Sequence, residues 1–143
     1  MTEKAFNRPV LLVEDNPVDL DLTLRAFSRR KLLNPVLVAR DGEEALAWLP
    51  KWEKGETLPL VILLDLKLPR VPGLEVLSRL KANPVSQSIP VVILTSSSED
   101  KDIEAAYKLG ANSYIVKPVD FEKFLQVTAQ IEIYWCATNN PPR

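Results

Sequence analysis

Five short runs, apolar or nearly so, divide the chain: Val10–Val13, Val36–Ala39, Leu60–Leu64, Val91–Leu94 and Ser113–Val116. Their near-continuous apolar character predicts strands covered on both faces, as in a parallel sheet. Segments of helical length separate them, so strand and helix alternate along the chain. That alternation predicts an α/β domain, a parallel sheet doubly wound by five helices. Polar groups follow four of the runs: Glu14-Asp15, Asp65, Thr95 and Lys117. Open α/β sheets bind ligands outside the carboxyl ends of their strands. Three carboxylates, a hydroxyl and an ammonium gathered at that edge point to a divalent cation and a phosphoryl group.

The helical segments carry their own punctuation. Asn16 predicts an N-cap, with Pro17 at the first helical position. Val18, Leu20, Leu22, Leu24 and Ala26 alternate with polar residues, which is a strand period. The cap and the need for a crossover between parallel strands favour helix, with Leu20, Leu24 and Phe27 on one face. The second helix is predicted from Asp41 as cap to about Leu49, with Pro50 stopping it. Lys51–Pro59 then reads as a polar loop, longer than most such connections. The third is predicted from near Leu74 to just before Asn83-Pro84, and the fourth from Glu99 to Leu109 with Gly110 as its stop. Ser97 or Ser98 is the expected cap of the fourth. The fifth is predicted from Asp120 to about Ala137, leaving Asn139–Arg143 as a frayed tail.

At 143 residues the chain suits one domain with one core, about 7–137 with a tail from 138. A net charge of -1 offers no basic footprint for nucleic acid. The chain contains no histidine, which removes a Ser-His-Asp triad and His-ligated zinc. The one cysteine, Cys136, can form no internal disulfide and has no histidine to activate it. The first apolar run is too short for a signal peptide, and no stretch approaches the roughly 20 apolar residues of a membrane span. A cytoplasmic protein with no membrane partner is expected.

Taken singly, the site residues are ambiguous. Glu14-Asp15 and Asp65 suit any strand-to-helix turn, and Lys117 suits any surface. Their common edge changes the reading, because crowded carboxylates raise one another's pKa unless a cation joins them. Oxygen-only ligands select a hard ion, of which Mg²⁺ is the available one. Lys117 would neutralise the acidic cluster from the other side. The Lys117-Pro118 bond is a candidate for the cis form, against a frequency of only about 5–6% for such bonds.

Val10 to Pro17 (VLLVEDNP), Asp65 to Gly73 (DLKLPRVPG), Thr95-Ser96 and Lys117-Pro118, in this order and spacing, resemble the receiver domain of two-component response regulators. The resemblance spans about residues 7 to 137 and is of the stand-alone, chemotaxis-regulator-like kind. It implies a flavodoxin-like sheet of order 2-1-3-4-5. It implies Asp65 as phosphoacceptor, becoming 4-aspartylphosphate at the expense of a phosphohistidine on a sensor histidine kinase. Glu14, Asp15, Asp65 and the backbone carbonyl of Lys67 would hold Mg²⁺. Lys117 would pair with phosphoryl oxygens, Thr95 would hydrogen-bond one of them, and Tyr114 would be the aromatic that follows Thr95 in the switch. Lys67 and Ser97 side chains would face the site and tune dephosphorylation. Leu68 and Pro72 depart from the residues common at those positions, without touching a charged group.

No effector domain is expected after the receiver, so output would pass through protein contacts. In the fifth helix Phe121, Leu125 and Thr128 are expected on one face and Phe124, Val127, Ile131 and Tyr134 on another, with Ile133 and Trp135 in addition. That excess over a sheet-covering stripe predicts a homodimer through this helix, with the fourth helix and fifth strand. The Lys51–Pro59 loop and the Ile131–Trp135 ending resemble single-domain regulators paired with bacterial phytochrome kinases. Three rivals stand beside this reading. A flavodoxin-like cofactor binder would find its flavin phosphate repelled by Glu14, Asp15 and Asp65. A haloacid-dehalogenase-type phosphatase would need an aspartate where Lys67 stands. A degenerate receiver would lack part of the intact set of Glu14, Asp15, Asp65, Thr95 and Lys117.

Overall fold

The computed structural model describes residues 8–140. Among them, the strands are β1 (Val10–Val13), β2 (Val36–Ala39), β3 (Val61–Leu64), β4 (Val91–Thr95) and β5 (Ser113–Val116). All pair in parallel, in the order β2-β1-β3-β4-β5. The helices are α1 (Pro17–Arg29), α2 in two segments (Gly42–Leu46 and Trp48–Glu53), α3 (Gly73–Ala82), α4 (Asp100–Lys108) and α5 (Phe121–Ile131). A π-helical stretch, Glu132–Thr138, continues α5.

Side chains alternate across each strand, so a sheet covered on both faces needs apolar residues at every position. Leu11, Val13, Ile62, Leu64, Val91 and Ile93 pack with Ala45, Trp52, Val76, Leu77, Leu80 and Ala106 of α2, α3 and α4. Val10, Leu12, Val61, Leu63, Val92 and Leu94 pack with Leu20, Phe27, Ile131 and Cys136 of α1, α5 and the π stretch. Each fully buried aliphatic side chain contributes about 1.5–3 kcal/mol. That core is what allows charged groups to be gathered at the sheet's edge.

α1 forms as its cap predicts: Asn16 Oδ1 accepts from the Val18 and Asp19 amides at 2.9 and 3.1 Å. Leu20 and Phe27 are buried, with Leu24 packed beside them. Tertiary packing and the cap override the strand-like period.

Pro50 does not stop the second helix. A turn at Ala47 interrupts the hydrogen-bond ladder, and a new segment starts at Trp48. Pro50 then falls in the first turn of that segment, where its missing N–H has no intrahelical partner to lose. Lys51, Trp52 and Glu53 are therefore helical, and the connection to β3 is shorter than the expected Lys51–Pro59 loop. The cap of α4 is Glu99, not Ser97 or Ser98. Ser97 instead donates its hydroxyl to Asp102 at 2.5 Å.

α5 ends early as an α-helix, although helical winding reaches Thr138. Its core stripe is Phe124, Thr128 and Ile131, spaced i, i+4, i+7. Phe121 and Tyr134, expected on apolar faces, are about half exposed, as is Ile133. No cis peptide occurs among the described residues, so Lys117-Pro118 is trans. Of the expected frayed tail, Pro141–Arg143 lies outside the described residues.

The register carries the functional groups to one edge. Val13 lies beside Leu64, Leu64 beside Ile93, and Thr95 beside Val116. Backbone bonds continue one step past the strands, from Glu14 N–H to Ala39 C=O, Asp65 N–H to Val13 C=O and Lys117 N–H to Thr95 C=O. Gly73 opens α3 directly against this edge. A Cβ there would lie 2.4 Å from the Asp65 carbonyl oxygen, an approach only glycine allows.

Candidate phosphoacceptor site

Lys117 is the centre of the site. Its ammonium lies 2.6 Å from Glu14 Oε1, 2.8 Å from Asp65 Oδ2 and 2.9 Å from Asp19 Oδ2. The side chain is 8% exposed, so these contacts are little screened by water. Glu14 also accepts the Asn16 amide through Oε2, and Asp65 accepts the Lys67 amide through Oδ1. Each buried carboxylate is thereby fixed from two sides.

Asp19 is a site residue that the strand-edge pattern does not reveal, because it belongs to α1 rather than to a strand end. The signal was present nonetheless. Asn16 as cap places Asp19 in the first helical turn, and helical side chains tilt back toward the N-terminus. That tilt aims Asp19 at the same edge.

The crowding expected of three carboxylates holds for one of them. Burial pushes Glu14 up to about 8; Lys117 opposes the shift and Asp65 adds to it. Asp65 moves the other way. Burial favours its neutral form, but the hydrogen bond from Lys117 and the adjacent Glu14 outweigh burial and hold it below the ordinary carboxylate range. Lys117 is lowered by burial and raised more strongly by its carboxylate partners, ending above its usual value. The three groups act as one unit in which burial favours the neutral form of Glu14 while Lys117 favours the ionised form of Asp65. An ionised, oriented carboxylate is what a nucleophilic oxygen requires.

Glu14, Asp15 and Asp65 each offer a carboxylate oxygen within 4.8 Å of the others. The donors are all oxygen, and Asp15 is exposed at the mouth, which suits a hard divalent cation that keeps part of its water shell. A cleft of about 370 Å³ opens here, lined by Asp15, Asp19, Asp65, Lys67, Ser96 and Lys117 among others. Beneath it Thr95 is fully buried, and its hydroxyl has no hydrogen-bond partner of good geometry among the described residues. A buried hydroxyl without a partner costs free energy; a phosphoryl oxygen beside Lys117 and Thr95 would satisfy it.

Two predicted residues lie to the side. Tyr114 is half-buried, and its hydroxyl donates to the Ser97 carbonyl at 2.9 Å, bridging β5 to the loop after β4. Ser97 turns its hydroxyl toward Asp102 rather than into the cleft. Cys136 does not line the cleft: it is buried in the layer of α1, α5 and the π stretch, with its thiol pushed up to about 12 by burial.

This edge, with its acids, hydroxyl and lysine on a 2-1-3-4-5 sheet, defines a receiver. Residues 10–129 match the response regulator receiver domain, and the chain belongs to that family. Its members are phosphorylation switches of two-component signalling rather than turnover enzymes. A flavodoxin-like cofactor binder shares only the architecture.

The chain is 42% identical over 134 residues to the probable methanogenesis regulatory protein FilR2 of Methanothrix harundinacea, covering 93% of this chain and 86% of the relative. The phosphorylated cyanobacterial phytochrome response regulator RcpA superposes with a TM-score of 0.89 at 36% identity, covering 96% of this chain and 99% of that one. The bacteriophytochrome response regulator RtBRR is 49% identical with a TM-score of 0.74, covering 95% and 84% respectively.

The raised Glu14 pKa has a stability consequence. Between 4.5 and about 8 the folded chain holds a proton on Glu14 that the unfolded chain has lost. Stability contributed by this group is full below 4.5 and drains away as pH rises toward 8. In denaturant titrations without divalent cations, stability is expected to fall across this window with a slope approaching one proton. Glu14→Gln is expected to flatten that slope; an unchanged slope would show Glu14 ionised throughout.

Proposed function

We propose that Asp65 is the phosphoacceptor of this switch. The observation that carries the reading is the Lys117 ammonium bonded to Asp65, with the buried Thr95 hydroxyl beside them lacking a well-aligned partner. One Asp65 oxygen attacks phosphorus, an O–P bond forms, and the P–N bond of a phosphohistidine on a sensor histidine kinase breaks. The imidazole leaves with the electron pair and takes up a proton from solvent. Phosphoryl transfer of this kind needs positioning and charge neutralisation more than covalent help. Lys117 offsets charge from one side of the phosphoryl group, and Thr95 donates to one oxygen. Glu14, Asp15, Asp65 and the Lys67 carbonyl would hold Mg²⁺, which supplies the remaining neutralisation when bound.

The switch reading follows from the same contacts. A phosphoryl group would offer Thr95 a better-aligned partner than the free site does, so the loop after β4 would gain contacts in one arrangement only. Tyr114 is tethered to that loop through Ser97, which supports its assignment as the switch aromatic.

We read the partner as a phytochrome-type kinase, on the likeness to RcpA and RtBRR, with both proteins working in the cytoplasm. No helix among the described residues is long and apolar enough to cross a membrane. Incubation with acetyl phosphate and Mg²⁺ is expected to add the mass of one phosphoryl group, and Asp65→Asn to add none. With kinases as donors, transfer from a bacterial phytochrome kinase is expected to outpace transfer from an unrelated one. Modification of Asp65→Asn to the same extent would place the acceptor elsewhere.

Exposed apolar side chains supply the output face: Tyr107 on α4, Val116 on β5, Phe121 on α5, and Ile133 and Tyr134 beyond it. A groove of about 460 Å³ runs between β5 and this last helix, walled by Ile115, Val127, Ile131, Tyr134 and Trp135 among others. A second copy meeting this face would form a homodimer. Size-exclusion chromatography with light scattering is expected to give the mass of two chains, and Ile133→Ser with Tyr134→Ser to give one. A wild-type monomer with and without phosphorylation would remove the dimer.

A further inference from the structure

An ammonium has three N–H donors, and Lys117 points them at three carboxylates: Glu14, Asp65 and Asp19. No donor is spare for a phosphoryl oxygen. To grasp one, Lys117 has to release a partner, and the three partners are not equal. The Glu14 side chain is 3% exposed, so water cannot replace the hydrogen bond that its release would remove, and a buried carboxyl oxygen would be left unpaired. Asp65 is the residue being modified. Asp19 is 24% exposed and lines the cleft mouth, so its carboxylate can return to water. Its place in the first turn of α1 also leaves the freed charge stabilised by the helix N-terminus.

We propose that Asp19 is a displaceable stand-in for the phosphoryl group, occupying on Lys117 the place that a phosphoryl oxygen takes. The inference rests on the assignment of Asp65 and Lys117 made above and extends it to a positioning residue. Asp19 keeps the ammonium aimed at the cleft in the unmodified protein and competes with the incoming oxygen. The apparent affinity for a phosphoryl group is then reduced by the share of molecules in which Asp19 holds the ammonium. The backbone does not need to move for this exchange. The Asp19 amide stays bonded to Asn16 and its carbonyl to Thr23, so only the carboxylate swings.

The test is titration of the full chain with beryllofluoride, a phosphoryl mimic, in saturating Mg²⁺, followed by calorimetry. Asp19→Asn is expected to bind roughly two- to fivefold more tightly, the factor a partly exposed ion pair represents. Asp21→Asn removes the same charge from the same helix, at an exposed residue paired with Arg25. It is expected to bind as wild type. In a Lys117→Gln background, the gain from Asp19→Asn is expected to vanish. Unchanged or weaker binding by Asp19→Asn, with wild type binding normally, overturns the role of Asp19 and leaves Asp65 standing. Equal gains from Asp19→Asn and Asp21→Asn reduce the effect to net charge and overturn it as well. A wild-type chain that neither binds the mimic nor accepts a phosphoryl group from acetyl phosphate overturns the Asp65 reading and this one together.

Discussion

The ion cluster around Lys117 ties the end of β5 to two stretches of the chain far from it in sequence. Its ammonium is bonded to Glu14 at the end of β1, Asp19 in α1 and Asp65 at the end of β3. A buried charge is tolerated only when paired and hydrogen-bonded, and here the pairing is mutual. The acids need the lysine, and the lysine needs the acids. The parallel register makes the arrangement possible, because it ends neighbouring strands level with one another. The apolar layers on both faces supply the stability against which this cluster is assembled.

Much of this was legible in the sequence. Strands covered on both faces need apolar runs, and each run predicted its strand to within one residue at either end. The residues after those runs share an edge because parallel strands all end on the same side. Glu14, Asp15, Asp65, Thr95 and Lys117 were therefore readable as one group. Asp19 was not, because its place depends on the tilt of a helical side chain rather than on a strand end. Pro50 misled because a proline stops only a continuous helix, and the break at Ala47 comes before it. The pKa of Asp65 was expected to rise with crowding. It falls, because the direction depends on where the ammonium lies among the acids, which spacing along the chain does not fix.

The proposed switch has a short route from the site to the surface. Thr95 is buried with a hydroxyl that lacks a well-aligned partner, Tyr114 is bonded to the loop that follows Thr95, and Ser97 in that loop is bonded to α4 through Asp102. A phosphoryl group engaging Thr95 would act on this short chain of contacts. The exposed apolar residues of α4, β5 and α5 lie at its far end. In the proposed switch the phosphoryl group and the ammonium would supply the bias toward one arrangement of this loop.

Lys117 holds the site together by pairing with the buried carboxyl groups of Glu14 and Asp65, and a double-mutant cycle on metal-free stability at pH 8 measures that pairing. Lys117→Met alone is expected to cost about 3–5 kcal/mol, the usual result of stranding one side of a buried ion pair. In a Glu14→Gln, Asp65→Asn background the same substitution is expected to cost less than about 1 kcal/mol, since no buried acid is left to strand. Equal costs in the two backgrounds would contradict the account, because Lys117 would then be contributing by packing alone.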